Sequence, residues 1–208
     1  MRANVYIDGF NFYYGAARTR PKCKWTDLAM WAQNCLVLPG DQLNRIRYFT
    51  ARVSGTPANP SQPQRQETYF RALRTIPNLS IHEGQFQRKT VRMPRANGTG
   101  TVEVIKTEEK GSDVNLATYV MLDGAQKDAE VAIVVSDDFD LREPLTLAPT
   151  ELGLRVGVVS PRGQSWLRSA VKADFYRPVR EADLLACQFP NQLQDAQGRT
   201  LRRPPSWS

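Results

Sequence analysis

The stretch V-A-I-V-V-S-D-D-F-D, residues 131–140, decides the fold. Five consecutive apolar residues, Val131–Val135, cannot alternate between a core face and a solvent face. They predict a strand buried on both sides, the kind found inside a parallel sheet. The acidic run Ser136-Asp137-Asp138-Phe139-Asp140 then falls at the carboxyl end of that strand, and Leu141–Leu147 carries a helical pattern behind it.

Working outward, the same alternation of strand and helix repeats. Upstream, Lys110-Gly111-Ser112-Asp113 opens a helix that runs through Met121, with Ser112 or Asp113 placed to cap it. Ala3–Ile7 is a short buried strand ending at Asp8-Gly9, and the aromatic run Phe10, Phe12, Tyr13 and Tyr14 starts a helix whose rings read as core. Thr26 or Asp27 caps a helix through Leu36, and Arg45–Val53 is a second strand. A proline-rich loop, a helix from Gln64 to Ile76 and a strand at Leu79–Gln87 follow. The turn cluster in 93–100 predicts a long hairpin over 84–107. Downstream lie a strand at Leu154–Val159, a helix near Trp166–Val171 and a short strand at Asp174–Tyr176. The pattern is that of an α/β fold with a mainly parallel central sheet.

At 208 residues the chain suits one domain with a substantial core. Its net charge of +7 favours a polyanionic partner. No run approaches the roughly 20 apolar residues that span a bilayer, and the apolar stretch at the N-terminus is too short for a signal-peptide core. A cytoplasmic protein without a membrane segment is expected. Cys23, Cys35 and Cys187 form no metal-type spacing, and Cys35 reads as a buried small hydrophobe. The single histidine, His82, excludes reactions that need a histidine pair and is expected to be structural.

In a parallel sheet, ligands bind beyond the carboxyl ends of the strands. Asp8 follows the first strand, the acids of 136–140 follow the buried one, and Asp113 begins the helix leading into it. Carboxylates gathered at one edge repel one another unless a cation holds them, and magnesium takes such oxygen ligands. Each motif alone also fits helix capping or turn chemistry. Their joint occurrence along one chain favours the metal site.

These motifs, V-Y-I-D-G-F-N-F at 5–12, K-G-S-D-V-N-L-A at 110–117 and V-V-S-D-D-F-D-L-R-E-P-L at 134–145, resemble the NYN domain, a PIN-like nuclease fold, in its LabA-like (DUF88) branch. G-L-R-V-G-V-V-S-P at 153–161 and K-A-D-F-Y at 172–176 are similar to its closing strands, so the resemblance covers about residues 1–180. It implies a three-layer, Rossmannoid sheet with a basic hairpin insertion, and a Mg²⁺- or Mn²⁺-dependent ribonuclease, an endonuclease by expectation. Such an enzyme hydrolyses RNA phosphodiester bonds with a metal-activated water and leaves 5′-phosphate and 3′-hydroxyl ends. Asp8, Asp113 and Asp138 would bind metal, Asp140 would assist from behind them, and Asn11 would orient the first aspartate. Ser136 belongs to the same pattern, and Lys110 would contact phosphate. Asp137 stands where the family has a small or amide residue, which leaves open whether it replaces or assists Asp138.

Arg88, Lys89, Arg92 and Arg95 put positive charge on the hairpin, as a phosphate grip or as a solvated loop. Ser160, Arg162 and Gln164 are weaker candidates for substrate contact. RNA is the expected partner, with single-stranded DNA as the other candidate, and homodimerisation is a further family expectation. Residues 181–208 read as a helix remnant and a mobile basic tail carrying Arg199, Arg202 and Arg203. A non-catalytic RNA-binding or assembly module of the same fold is the competing reading. A haloacid-dehalogenase phosphatase is disfavoured because Phe10 stands two residues after Asp8, where a second aspartate is needed. No G-x-G-x-x-G follows the first strand, which disfavours a dinucleotide enzyme.

Overall fold

A computed structural model describes residues 1–163 and 167–208, with residues 168 and 169 described in their backbone only. Helix positions predicted at Trp166, and the contact residue Gln164, lie outside the described residues. Seven strands form one sheet: β1 (Arg2–Asp8), β2 (Gln42–Ala51), β3 (Leu79–Pro94), β4 (Thr101–Lys110), β5 (Val131–Val135), β6 (Arg155–Ser160) and β7 (Phe175–Pro178). Their order is β4-β3-β2-β1-β5-β6-β7, parallel throughout except for the antiparallel β3–β4 hairpin. β5 lies between β1 and β6 and every one of its residues is buried, which accounts for its uninterrupted apolar sequence.

Successive strand residues point to opposite faces, so each strand feeds two cores. Val5, Ile7, Ile133 and Val135 pack with Trp25, Trp31, Phe70 and Leu73 on one face. Tyr6, Phe49, Val134 and Val158 pack with Leu116, Val120 and Leu145 on the other. The helices α1 (Gly9–Phe12), α2 (Leu28–Trp31) and α3 (Gln62–Leu73) cover the first face; α4 (Ser112–Ala125) and α5 (Arg142–Leu152) cover the second. Asp27 caps α2, its carboxylate accepting from the amides of Ala29 and Met30. A short α6 (Leu167–Ala170) precedes β7.

The third strand continues without a break into the hairpin, so β3 is 16 residues long where the sequence reading ended it at Gln87. The hydrogen-bonded ladder extends from Gln85–Lys110 to Pro94–Thr101, which keeps the arm extended after its core face has run out. His82 is structural: its ring stacks on Phe49 at 4.9 Å and its Nε2 lies 2.9 Å from Ser80 Oγ.

The expectation of a mobile tail is corrected. Residues 181–208 form α7 (Glu181–Ala186), the paired strands β8 (Gln192–Gln194) and β9 (Thr200–Arg202), and a closing turn at Pro205–Trp207. Polar composition concealed a few apolar anchors: Phe189, Leu201 and Trp207 are buried in the first core. Trp207 lies 6.1 Å from both Trp25 and Tyr69, centroid to centroid. The Asp195 carboxylate, its side chain 1% exposed, pairs with Arg71 at 2.6 Å and with Arg199 at 3.0 Å. Arg199 and Arg203 are therefore engaged within the tail, Arg203 donating to the Lys22 and Trp207 carbonyls. Trp207→Ala should cost about 3 kcal/mol in urea unfolding, in the range for truncating a buried tryptophan. A loss below about 1 kcal/mol would show that the tail contact adds nothing to stability.

Candidate metal centre

Strands β2 and β5 leave β1 on opposite sides, and the helices that follow β1 and β5 cover opposite faces, α1 one and α5 the other. A sheet organised this way opens a crevice at the carboxyl ends of the two central strands. Ile7 is in register with Val135, so Asp8 and Ser136 emerge side by side. The Ser136 hydroxyl donates to Asp8 Oδ2 at 2.9 Å and accepts from the Asp138 amide at 3.0 Å.

Both strand-end aspartates also start the turn that follows. Asp8 Oδ1 accepts from the Asn11 amide at 2.9 Å, and Asp138 Oδ1 from the Asp140 amide at 3.0 Å. Capping and metal binding are thus compatible, since a carboxylate has two oxygens. The chain can turn so tightly after β1 because residue 9 is glycine: a Cβ there would lie 2.7 Å from the Phe49 carbonyl oxygen and the Tyr48 ring.

Asp113 arrives from a third direction. The N-cap of α4 is Gly111 at φ 106°, a conformation costly for any residue with a Cβ. Neither Ser112 nor Asp113 is the cap. Ser112 instead donates from its amide and hydroxyl to Glu109 Oε1, at 3.2 and 2.8 Å, and Asp113 sits in the first turn with no capping bond.

Asp8, Asp113 and Asp138 each offer an oxygen within 4.8 Å of the others. Phe10, Asn11, Tyr14, Phe86 and Glu109 complete the walls of a cleft of about 250 Å³ around them. Burial pushes the Asp8 carboxyl above its ordinary value, against the bonds from Asn11 and Ser136. Asp113 is pushed up to about 7, first by burial, then by the charges of Asp8, Asp138, Glu109 and Asp140. Three crowded carboxylates without a cation between them resist ionisation, and an all-oxygen donor set suits a hard divalent ion.

A raised carboxyl value stabilises the fold at low pH and loses that contribution as pH rises. For Asp113 the loss runs from the ordinary carboxylate range up through about 7. In EDTA the thermal midpoint should therefore receive a falling contribution from this group between about pH 4 and pH 8. Mn²⁺ should raise the midpoint more at about pH 8 than at about pH 5, because it replaces a proton at the lower pH. An equal metal-induced rise at both would overturn this account of Asp113.

The remaining candidates divide. Asn11 Oδ1 accepts from the Asp137 amide at 3.2 Å, tying the β1 and β5 turns together. Asp137 turns away from the cleft: it accepts from the Ser160 hydroxyl and from the Arg162 amide at 2.8 Å, bracing the end of β6. Asp138, not Asp137, joins the cluster. Asp140 is exposed and stands outside the group of three. Lys110 pairs with Glu108 at 3.3 Å and does not line the cleft.

The hairpin cations do not form one patch. Strand alternation puts Arg88 and Arg92 on the side of Phe86 and Glu109, which line the cleft, and Lys89 on the reverse side. Arg95 lies at the turn, its amide bonded to Gly100. Lys89 pairs with Glu108 and Arg92 with Glu103, both at 3.7 Å, which offsets part of the positive charge. Glu109 was not anticipated. Its one trace in the sequence is its place two residues before Gly111, at the hairpin's return.

The chain is thus a three-layer α/β sheet with three carboxylates gathered at its switch point, a donor set that could hold a metal ion. The chain belongs to the NYN domain family, whose profile matches residues 2–177; its members are typically nucleases. Among curated proteins, 6-hydroxy-3-succinoylpyridine 3-monooxygenase HspA of Pseudomonas putida (strain DSM 28022 / S16) is 28% identical over 238 residues, covering all of this chain and 75% of that protein. Among solved structures, a protein of unknown function from Vibrio parahaemolyticus RIMD 2210633 superposes with a TM-score of 0.56. It is 17% identical, across 86% of this chain and 93% of that one, and shares the fold. No helix among the described residues is long and apolar enough to cross a membrane.

Proposed function

We propose that this protein is a divalent-metal-dependent ribonuclease. The observation that carries the reading is the convergence of Asp8, Asp113 and Asp138 from three separate elements to within 4.8 Å. Asp8, Asp113 and Asp138 would hold Mg²⁺ or Mn²⁺. When bound, such an ion supplies charge neutralisation at a phosphate and activation of a water for in-line attack. Ser136 and Asn11 hold the two strand-end carboxylates in place through the bonds described above. Asp140 adds negative field from outside the group. Arg88 and Arg92, on the cleft side of the hairpin, would take backbone phosphates of the strand leading to the cleft, a contact that positions without reading sequence.

The test is incubation of the full chain with labelled mixed-sequence RNA in Mn²⁺, Mg²⁺ or EDTA, beside single-stranded DNA. Cleavage that requires metal supports the enzyme. RNA binding without cleavage in either metal would move the protein to the non-catalytic binding class.

The name of the Pseudomonas relative favours a second reading, oxidation of a pyridine, because an aromatic-walled cavity adjoins the acids here. Oxygen consumption with reduced nicotinamide and a hydroxypyridine, absent without the pyridine, would support it over the nuclease.

A further inference from the structure

Beside the acidic cleft lies a second cavity of about 220 Å³. Phe10 and Tyr14 line both, so the two spaces share a wall. Tyr13, Tyr69, Phe70 and Trp207 supply further aromatic surface. A cavity of ~150 Å³ accepts a benzene ring, so this one has room for a single planar heterocycle.

Two hydroxyls face this cavity without partners. Tyr48 is 6% exposed, lines the cavity, and its oxygen would lie 2.8 Å from a Cβ on Gly9. Among the described residues that hydroxyl makes no hydrogen bond. Burial and then the Asp8 charge push its phenol above the ordinary value, so it remains a donor. Thr50, 2% exposed, also lines the cavity, and its side chain has no hydrogen bond among the described residues. Neither oxygen is among the fully buried unpaired atoms, so both hydroxyls reach the open space of the cavity with their hydrogen-bonding capacity free for a ligand.

The lining also carries cations. Lys24 and Arg65 belong to it; Lys24 sits over the Tyr13 ring at 5.6 Å, and Arg65 is braced by Ser61 and Asn59. Arg18 lies over the Tyr14 ring at 5.4 Å. Among the described residues none of the three pairs with a carboxylate. Burial, then Arg65 and Arg18, hold the Lys24 ammonium below its ordinary value, so the three charges are close enough to repel.

An aromatic slot with two hydroxyls, cations in its lining and acids next door is complementary to a nucleotide. We infer that this cavity receives the base of the nucleotide adjoining the phosphate held at the aspartate cluster. The base stacks on the aromatic wall, Tyr48 and Thr50 bond its polar edge, and Lys24 and Arg65 meet the neighbouring phosphate. The inference rests on the nuclease reading for the position of the cut, and on the cavity alone for the recognition of a base.

The test uses the full chain, Mn²⁺ and a single-stranded RNA in which one abasic nucleotide is moved along the strand. Cleavage should slow about tenfold or more when the abasic position adjoins the cut phosphate, and stay unchanged when it lies elsewhere. Tyr48→Phe and Thr50→Val, which keep side-chain volume, should each shrink the ratio of intact to abasic cleavage. A flat scan with cleavage intact overturns the base pocket and leaves the nuclease reading standing. If no RNA is cut, the nuclease reading fails, and RNA carrying 2-aminopurine, in EDTA, decides the pocket on its own. Quenching that is weakened by Tyr48→Phe supports it; fluorescence that is unaffected by the protein overturns it. AMP should displace this RNA at lower concentration than nicotinate, and the reverse order would overturn the base assignment in favour of a small free heterocycle.

Discussion

Asp8→Asn and Asp138→Asn should each reduce metal-dependent RNA cleavage by more than the ~10–100-fold typical of losing a partner behind the metal ligands. Each substitution keeps the side-chain shape and an oxygen that can accept the capping bond, from the Asn11 amide in one case and the Asp140 amide in the other. The fold therefore has little reason to suffer. Asp8 is 3% exposed and its carboxyl is held above the ordinary value by burial, so removing its charge should leave the apo protein at least as stable. The thermal midpoint in EDTA should stay level or rise, while the stabilisation by Mn²⁺ disappears. Cleavage retained within about threefold in both variants would remove the cluster from the chemistry. A collapsed midpoint would instead expose a structural role for the carboxylate.

The second large effect lies away from the cleft. Asp123, 1% exposed near the end of α4, accepts from Arg47 Nη2 at 2.6 Å and Nε at 2.8 Å. It also accepts from the Tyr6 hydroxyl at 2.9 Å and the Asn4 amide nitrogen at 3.1 Å. One carboxylate thus ties α4 to β1 and β2, and the same helix carries Asp113 at its other end. Asp123→Ala would leave the Arg47 guanidinium, its side chain 11% exposed, without its counter-charge. Breaking a buried pair from one side costs about 3–5 kcal/mol, which in a chain this long corresponds to roughly 6–20 °C in the thermal midpoint. Combining Asp123→Leu with Arg47→Met should recover the part of the loss that comes from the orphaned charge, but not the part from the buried Tyr6 hydroxyl, which loses its acceptor. A single-variant loss below about 1 kcal/mol would show that the network is not what fastens α4 to the sheet. Urea unfolding of the single and double variants measures both.

Much of this was legible from local pattern. The apolar run at 131–135, the period of the helices and the turn residues depend on neighbours in the chain, and they led to the α/β sheet. The aspartates at positions 8, 113 and 138 were visible because each stands where a strand ends or a helix begins. Other features depended on contacts between residues far apart in sequence. Asp137 and Asp138 are adjacent carboxylates with the same composition around them. Only the end of β6, through Ser160 and Arg162, draws one of them away from the cleft. Which way the hairpin cations point was likewise out of reach: the ladder puts Arg88 and Arg92 on one face and Lys89 on the other, while Arg95 lies at the turn.

The sequence by itself determined the layers, the carboxyl edge and the acids that meet there, because periodicity and strand-end position are properties of the chain. The tertiary structure decided what stands around those acids: Glu109 at the hairpin's return, the aromatic cavity beyond Phe10, and Trp207 folded back onto Trp25. Each of these is set by surfaces that meet only once the sheet, hairpin and tail have folded together, and burial between such surfaces leaves no period in either segment alone.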